Sequence, residues 1–219
     1  MNLQNPPKFK ILIDQAHEVA LNVLRPISRK YDKAEHSYPI ELDMLASVVD
    51  GMNHGSEGMN AGAAVNKRGD ADSNNKNGIN MSTALSIIEM CYGDTGLLLS
   101  MPRQGLGNSA IAAIANEEQL HRFHGTWAAM AITESGCGSD SAAIRTTATK
   151  DGDDYILNGE KIFVTSGERA DAVVVWATLD KKLGRSAIKS FVVAKGTPGM
   201  KVERLEHKLG IKSSDTATI

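Results

Sequence analysis

Thr133, Glu134, Ser139 and Asp140 surround two glycines, Gly136 and Gly138, within the run Met130-Ala-Ile-Thr-Glu-Ser-Gly-Cys-Gly-Ser-Asp140. An apolar, strand-like approach from Trp127 to Ile132 leads into it. Glycines lack Cβ, so the backbone N–H groups beside them can come close to a bulky anion. Thr133 and Ser139 add small hydroxyl donors at either end. Such a loop suits one side of a flat, phosphate-bearing ligand, although by itself it reads more simply as a polar turn between strands. Farther along, Phe163-Val164-Thr165-Ser166-Gly167 closes a second strand-like run. Strand alternation would place the Phe163 ring and the Thr165 hydroxyl on one face, able to stack on and hydrogen-bond a planar heterocycle. A core phenylalanine followed by a capping threonine accounts for the same residues.

Other constellations have weaker claims. Gly105-Leu-Gly107-Asn-Ser-Ala110 spells a dinucleotide fingerprint. Pro102 stands where the incoming strand should end, and no acidic residue follows at about 20 positions, so an inter-helix turn is the better reading. Glu117, His121 and His124 could share a helix face as metal ligands, but no second His/Glu pair completes a site. They read as exposed residues of a surface helix. Glu134 and Asp140 read as carboxylates orienting backbone N–H groups within the turn, and Cys137 as a small packing residue with no local histidine to activate it.

The elements that must position these residues fall into two halves. From Asp14, a plausible N-cap, Ala16, Val19, Ala20, Val23, Leu24 and Ile27 repeat at helical spacing, with Pro26 expected to bend the last turn. Pro39 opens a second helix with Ile40, Met44, Leu45 and Val48 on one side, ending at Gly51. Residues 51–78 contain six glycines and six asparagines and read as a long loop. Asn80 can cap a third helix that stops near Gly93, and helical stretches follow at about 109–115 and 116–123. After Trp127 the segments 127–133, 144–149, 155–157, 160–165, 172–178 and 190–194 read as strands, with Asp151-Gly152 and Asn158-Gly159 as hairpin turns. Helices before strands imply an α+β chain with a helical domain over 1–125 and a β domain over 126–219.

The 219 residues carry a net charge of −2, which gives no electrostatic reason to expect nucleic acid or an anionic membrane as partner. No apolar run is long enough to span a bilayer, so no membrane insertion is expected. Two cysteines, Cys91 and Cys137, lie in unlike contexts and point to a reducing compartment, the cytoplasm by default.

Taken together, three segments resemble the acyl-CoA dehydrogenase family of flavoproteins. They are 130–140, then Tyr155-Ile-Leu-Asn-Gly-Glu-Lys-Ile-Phe-Val-Thr-Ser-Gly167, then Lys208-Leu-Gly-Ile-Lys-Ser-Ser-Asp-Thr216. Ala84 to Gly96 and Asn116-Glu-Glu-Gln-Leu120 resemble its helical N-terminal domain. The resemblance implies a β-barrel-like middle domain and FAD held between it and a C-terminal four-helix domain. By motif position, Met130, Ile132 and Thr133 would line the flavin, with Gly138 and Ser139 near its pyrophosphate. Phe163, Val164 and Thr165 would face the isoalloxazine. Ser139 would also touch the acyl-CoA, and Met101 to Gly107 would border the acyl chain. Ser135 and Phe163 stand where the family commonly has proline and tryptophan.

The chain stops at Ile219, before the expected C-terminal domain that carries the family's glutamate base. The resemblance therefore implies α,β-dehydrogenation of an acyl-CoA by a longer enzyme, a homotetramer passing electrons to an electron-transfer flavoprotein, with this part inactive alone. Oxidases and monooxygenases of the same architecture, or a non-catalytic subunit completing a partner's cleft, are the alternatives.

Overall fold

The structure, a computed structural model, describes residues 6–53, 79–103 and 105–219. Their contacts divide them into two compact units: residues 6–53, 79–102 and 207–214, and residues 103, 105–206 and 215–219. The division falls elsewhere than at the expected 125/126 boundary. The helices of residues 106–122 belong with the strands, and residues 207–214, which lie between the last two strands, belong with the first helices. Among the described residues no helix is long and apolar enough to cross a membrane.

The first unit is built from α1 (Lys10–Val19), a π-helical turn (Ala20–Leu24), α2 (Arg25–Lys33), α3 (Glu41–Asn53) and α4 (Ile79–Leu99). Asp14 is not the N-cap. The helix starts four residues earlier, after a 3-10 turn at Pro7–Phe9, and Asp14 pairs with Lys10. Pro26 does not end the helix. The wider π turn before it takes up the missing N–H and the ring's bulk, and the helix continues to Lys33.

The expected inner face of α3 is corrected. Ile40, Met44 and Val48 are exposed, while Leu42 and Ala46 are buried with Leu45 packed against them. Leu42 and Ala46 are also spaced i, i+4, so the pattern admitted two faces and packing chose one. Gly51 does not end α3, which runs to Asn53, and the rest of the expected 51–78 loop lies outside the described residues. α4 breaks where a stop was expected. Asp94 is extended just after Gly93, and its carboxylate takes the Leu97 N–H at 2.8 Å, capping the final turn. Leu24, Tyr31, Leu42, Ala46, Leu97 and Met101 form the core. Met101 is therefore a packing residue of this unit.

The second unit begins with α5 (Leu106–Ile114) and α6 (Glu117–Arg122), the latter opened by a capping box of Asn116 and Gln119. Glu117, His121 and His124 are exposed on and after α6. Eight strands follow: β1 (Ala128–Ala131), β2 (Thr147–Asp151), β3 (Asp154–Asn158), β4 (Val164–Thr165), β5 (Ala172–Thr178), β6 (Ile188–Ala194), β7 (Arg204–Leu205) and β8 (Thr216–Thr218). They form a mixed five-stranded sheet and a separate three-stranded sheet, β4-β8-β7, not a closed barrel. β5 is central, antiparallel to β6 and parallel to β1, and all but Trp176 of its residues are buried. Asp151-Gly152 makes the expected hairpin between β2 and β3, with Gly152 at φ +60°. Asn158-Gly159 does not, because the chain after β3 leaves for the second sheet.

β1 alternates between two apolar layers. Ala128 packs with Val174 and Ile111 beneath α5, whereas Ala129 and Ala131 pack with Trp127, Val164, Val173 and Val175 on the opposite face. Asn108 ties α5 to the start of β1. Its Oδ1 accepts the Ala128 N–H at 2.8 Å and its Nδ2 donates to the Thr126 carbonyl.

Candidate functional site

The glycine-bearing turn leaves the C-terminal end of β1 and is held from below. Glu134 and Cys137 exchange both backbone hydrogen bonds, 3.0 and 3.1 Å, and close the turn on itself. The Glu134 side chain points inward. Its Oε1 accepts from Lys161 Nζ at 2.8 Å, Thr146 N–H at 2.9 Å and Thr146 Oγ1 at 2.6 Å, and its Oε2 accepts from Arg145 N–H at 2.7 Å. Lys161 also donates to the Ile132 carbonyl at 3.0 Å. Both side chains are buried, Lys161 at 2% exposure and Glu134 at 8%. Burial alone would push the carboxyl upward, but Lys161 and the donors of Thr146 and Arg145 overcome it and hold Glu134 down at about 2. The carboxylate thus orients N–H groups of β2's entrance, not those of its own turn. That is one correction to the sequence reading.

Asp140, its expected companion, is exposed. Cys137 is buried with its Sγ 3.9 Å from Glu134, a packing position as expected. Both cysteines are free thiols.

The segment carrying Phe163 and Thr165 is pinned beside this turn. Ile162 N–H donates to the Thr133 carbonyl at 2.9 Å, and Lys161 and Ile219 exchange backbone hydrogen bonds of 2.8 and 2.9 Å. Two stretches some thirty residues apart are therefore neighbours at the end of β1.

The expected strand alternation fails at Phe163, whose backbone is left-handed at φ +58°, as is that of Ser166 at φ +60°. Each such residue costs about 1–2 kcal/mol. The two bracket β4, which is only Val164 and Thr165 long, and turn the Phe163 ring outward at 59% exposure. Val164 is 1% exposed within the sheet core, so only its backbone can meet a ligand. Met130, Ile132, Thr133 and Thr165 are half-buried, and Gly138 and Ser139 are exposed. A Cβ built on Gly136 or Gly138 meets nothing within 4 Å, so nothing in the chain itself requires glycine there.

Asp215 secures the other end of β4. It is fully buried, and its Oδ2 accepts from the Glu168 and Arg169 N–H groups at 2.9 and 3.3 Å. Reading from the sequence missed Lys161, Thr146 and Asp215 as positioning residues. Lys161 gave one usable signal, a cation directly before the apolar run Ile162-Phe163-Val164.

Gly105 and Gly107 lie against β1, where their missing side chains admit α5.

Residues 129–219 match the middle-domain model of acyl-CoA dehydrogenases. A short-chain-specific acyl-CoA dehydrogenase of Clostridium acetobutylicum is 31% identical over 218 residues, covering 96% of this chain and 54% of that protein. The chain belongs to the acyl-CoA dehydrogenase family. Cyclohex-1-ene-1-carbonyl-CoA dehydrogenase of Syntrophus aciditrophicus is 30% identical, over 93% of this chain and 47% of its own. The structure of butyryl-CoA dehydrogenase from Megasphaera elsdenii superposes with a TM-score of 0.77 at 26% identity, over 100% of this chain and 56% of that one. The chain thus spans about half the length of the family members it matches. Gly136, Gly138, the outward Phe163 and the Glu134–Lys161 ion pair all lie within the matched residues 129–219.

Proposed function

We propose that this chain binds FAD and an acyl-CoA thioester and serves the α,β-dehydrogenation of that thioester to the enoyl-CoA. One observation carries the reading: a glycine turn with open space over it and an outward aromatic-hydroxyl edge meet on a rigid, buried ion pair. Gly138 and Ser139 would hold the pyrophosphate, with Ser139 also touching the acyl-CoA. Met130, Ile132 and Thr133 would line one edge of the flavin, and Phe163, the Val164 backbone and Thr165 would face its ring system. Bound FAD supplies the hydride acceptor. Around it, the Thr133 and Thr165 hydroxyls would donate where negative charge gathers, and Phe163 would shield the ring from water.

Neither carboxylate of the turn is placed as the base that removes the α-proton. Glu134 is committed to Lys161 and Thr146, and Asp140 stands in solvent. The 219-residue polypeptide alone is expected to bind FAD weakly and, with neither of these carboxylates placed as the base, not to turn over. An electron-transfer flavoprotein as acceptor, homo-oligomeric assembly and a reducing, cytoplasmic setting complete the proposal.

The test uses FAD titration monitored by flavin fluorescence. Replacing Gly138 by Val should weaken FAD at least roughly tenfold while leaving thermal stability unchanged, because the added side chain meets only the space kept for the ligand. Equal affinities in variant and parent would remove the glycine turn from the site. Anaerobic bleaching of the flavin by an acyl-CoA, with this polypeptide as the sole protein, would show that it does contain a base.

A further inference from the structure

We propose that Glu35, His36 and His207 form a divalent transition-metal site, with zinc the ion their chemistry fits best. Among the described residues these three side chains bring one ligating atom each within 4.8 Å of one another. His207 Nδ1 is 3.0 Å from Glu35 Oε2, and His36 Nε2 is 4.0 Å from Glu35 Oε1. The two imidazoles stand 5.6 Å apart between centroids, tilted by 52°. All three residues belong to the helical unit.

Two imidazole nitrogens and one carboxylate oxygen are a borderline-soft donor set. Zinc takes such a set at three tetrahedral positions and keeps the fourth for water, whereas calcium and magnesium demand more oxygens. Bonds of about 2.0–2.1 Å set neighbouring ligand atoms about 3.4 Å apart, so a small rotation of the exposed His207 ring and of His36 closes the present spacing.

Two local features prepare the site. The Lys208 N–H donates to Glu35 Oε1 at 2.9 Å, fixing the carboxylate in the manner of an outer-shell partner and turning Oε2 toward His207. His36 adopts a left-handed backbone, φ +66°, a conformation uncommon outside glycine although histidine is among the residues enriched in it. Such strain tends to persist where the surroundings require it. An occupied site would tie the turn after α2 to residues 207–214.

The experiment titrates the chelator-treated 219-residue polypeptide with Zn²⁺ by calorimetry, and separately with Co²⁺ by visible absorption. The expected result is one site for Zn²⁺ and the intense bands of a four-coordinate Co²⁺ ion. His207→Ala and Glu35→Gln should each weaken Zn²⁺ at least roughly tenfold and abolish the bands. The His207 side chain is 87% exposed, so its removal leaves the fold intact, which circular dichroism verifies. No Zn²⁺ heat, equal affinity in His207→Ala and parent, or only the pale spectrum of six-coordinate Co²⁺ would each overturn the proposal.

Discussion

Replacing Lys161 with Met is expected to destabilise the strand-bearing unit by about 3–5 kcal/mol, measured by urea denaturation at pH 7. The side chain is almost wholly buried, and its ammonium serves both the Glu134 carboxylate and the Ile132 carbonyl. Taking it away leaves an ionised carboxylate without its cation in a place where water cannot replace it. The double replacement, Lys161→Met with Glu134→Gln, should cost clearly less than the sum of the two singles, because each single strands the other's partner. A loss below about 0.5 kcal/mol in Lys161→Met would mean that the pair contributes nothing.

The same pair fixes the sign of an acid effect. Glu134 sits at about 2 in the folded chain against 4.5 as its ordinary value, so its stabilisation is complete above about 4.5 and is lost as pH falls toward 2. A shift of that size is worth about 3 kcal/mol. Glu41, held at about 2 by Lys30 and Tyr31, and Glu35, held there by Lys208 and His207, act in the same direction within the helical unit. Urea midpoints should fall steeply between pH 4.5 and 2, and the Glu134→Gln variant should lose part of that slope. A flat profile would contradict the ion-pair geometry.

Gly107→Ala is the second large effect, and its sign is opposite to helix propensity. Inside a solvent-facing helix the change gains up to about 1 kcal/mol. Here the new Cβ would stand 2.2 Å from the Ala129 carbonyl oxygen and 2.7 Å from that of Ala128. Both atoms are backbone of β1 and cannot rotate aside. α5 must lift from the strand, opening the layer of Ile111, Ala128 and Val174 and straining the Asn108 clamp. A loss of at least about 3 kcal/mol is expected. Gly105→Ala, 2.0 Å from the Ala128 oxygen, should behave alike. Gly136→Ala supplies the contrast. Its Cβ meets nothing, and its stability should stay within about 0.5 kcal/mol of the parent. Equal, small losses at all three positions would show that α5 does not depend on close approach to β1.

Much of this protein could be read from residue order alone, for reasons local to the chain. Asp151-Gly152 makes its hairpin because a left-handed turn residue sets strand direction within four positions. The apolar run Ala172–Thr178 is a strand buried on both faces because no polar side is left for water. Asn116 and Gln119 cap their helix through contacts three residues apart. The segments 130–140 and 155–167 carried the family in their letters, and the comparisons agree.

What lay beyond the letters was decided by partners distant in sequence. α3 had two candidate apolar faces, and packing, not periodicity, buried Leu42 and Ala46 and left Ile40, Met44 and Val48 outside. Phe163 was expected to alternate with Thr165, but pairing of β4 with β8 and anchoring by Asp215 force its backbone into the left-handed region. Glu134 had no visible partner in its own turn. Its partners, Thr146 and Lys161, come from twelve and twenty-seven residues away, and only the folded sheet brings a buried cation to a buried anion. Short-range order follows from backbone and capping preferences that each segment carries with it. Burial, pairing and strain depend on which surfaces meet, and that is fixed only when the whole chain has closed.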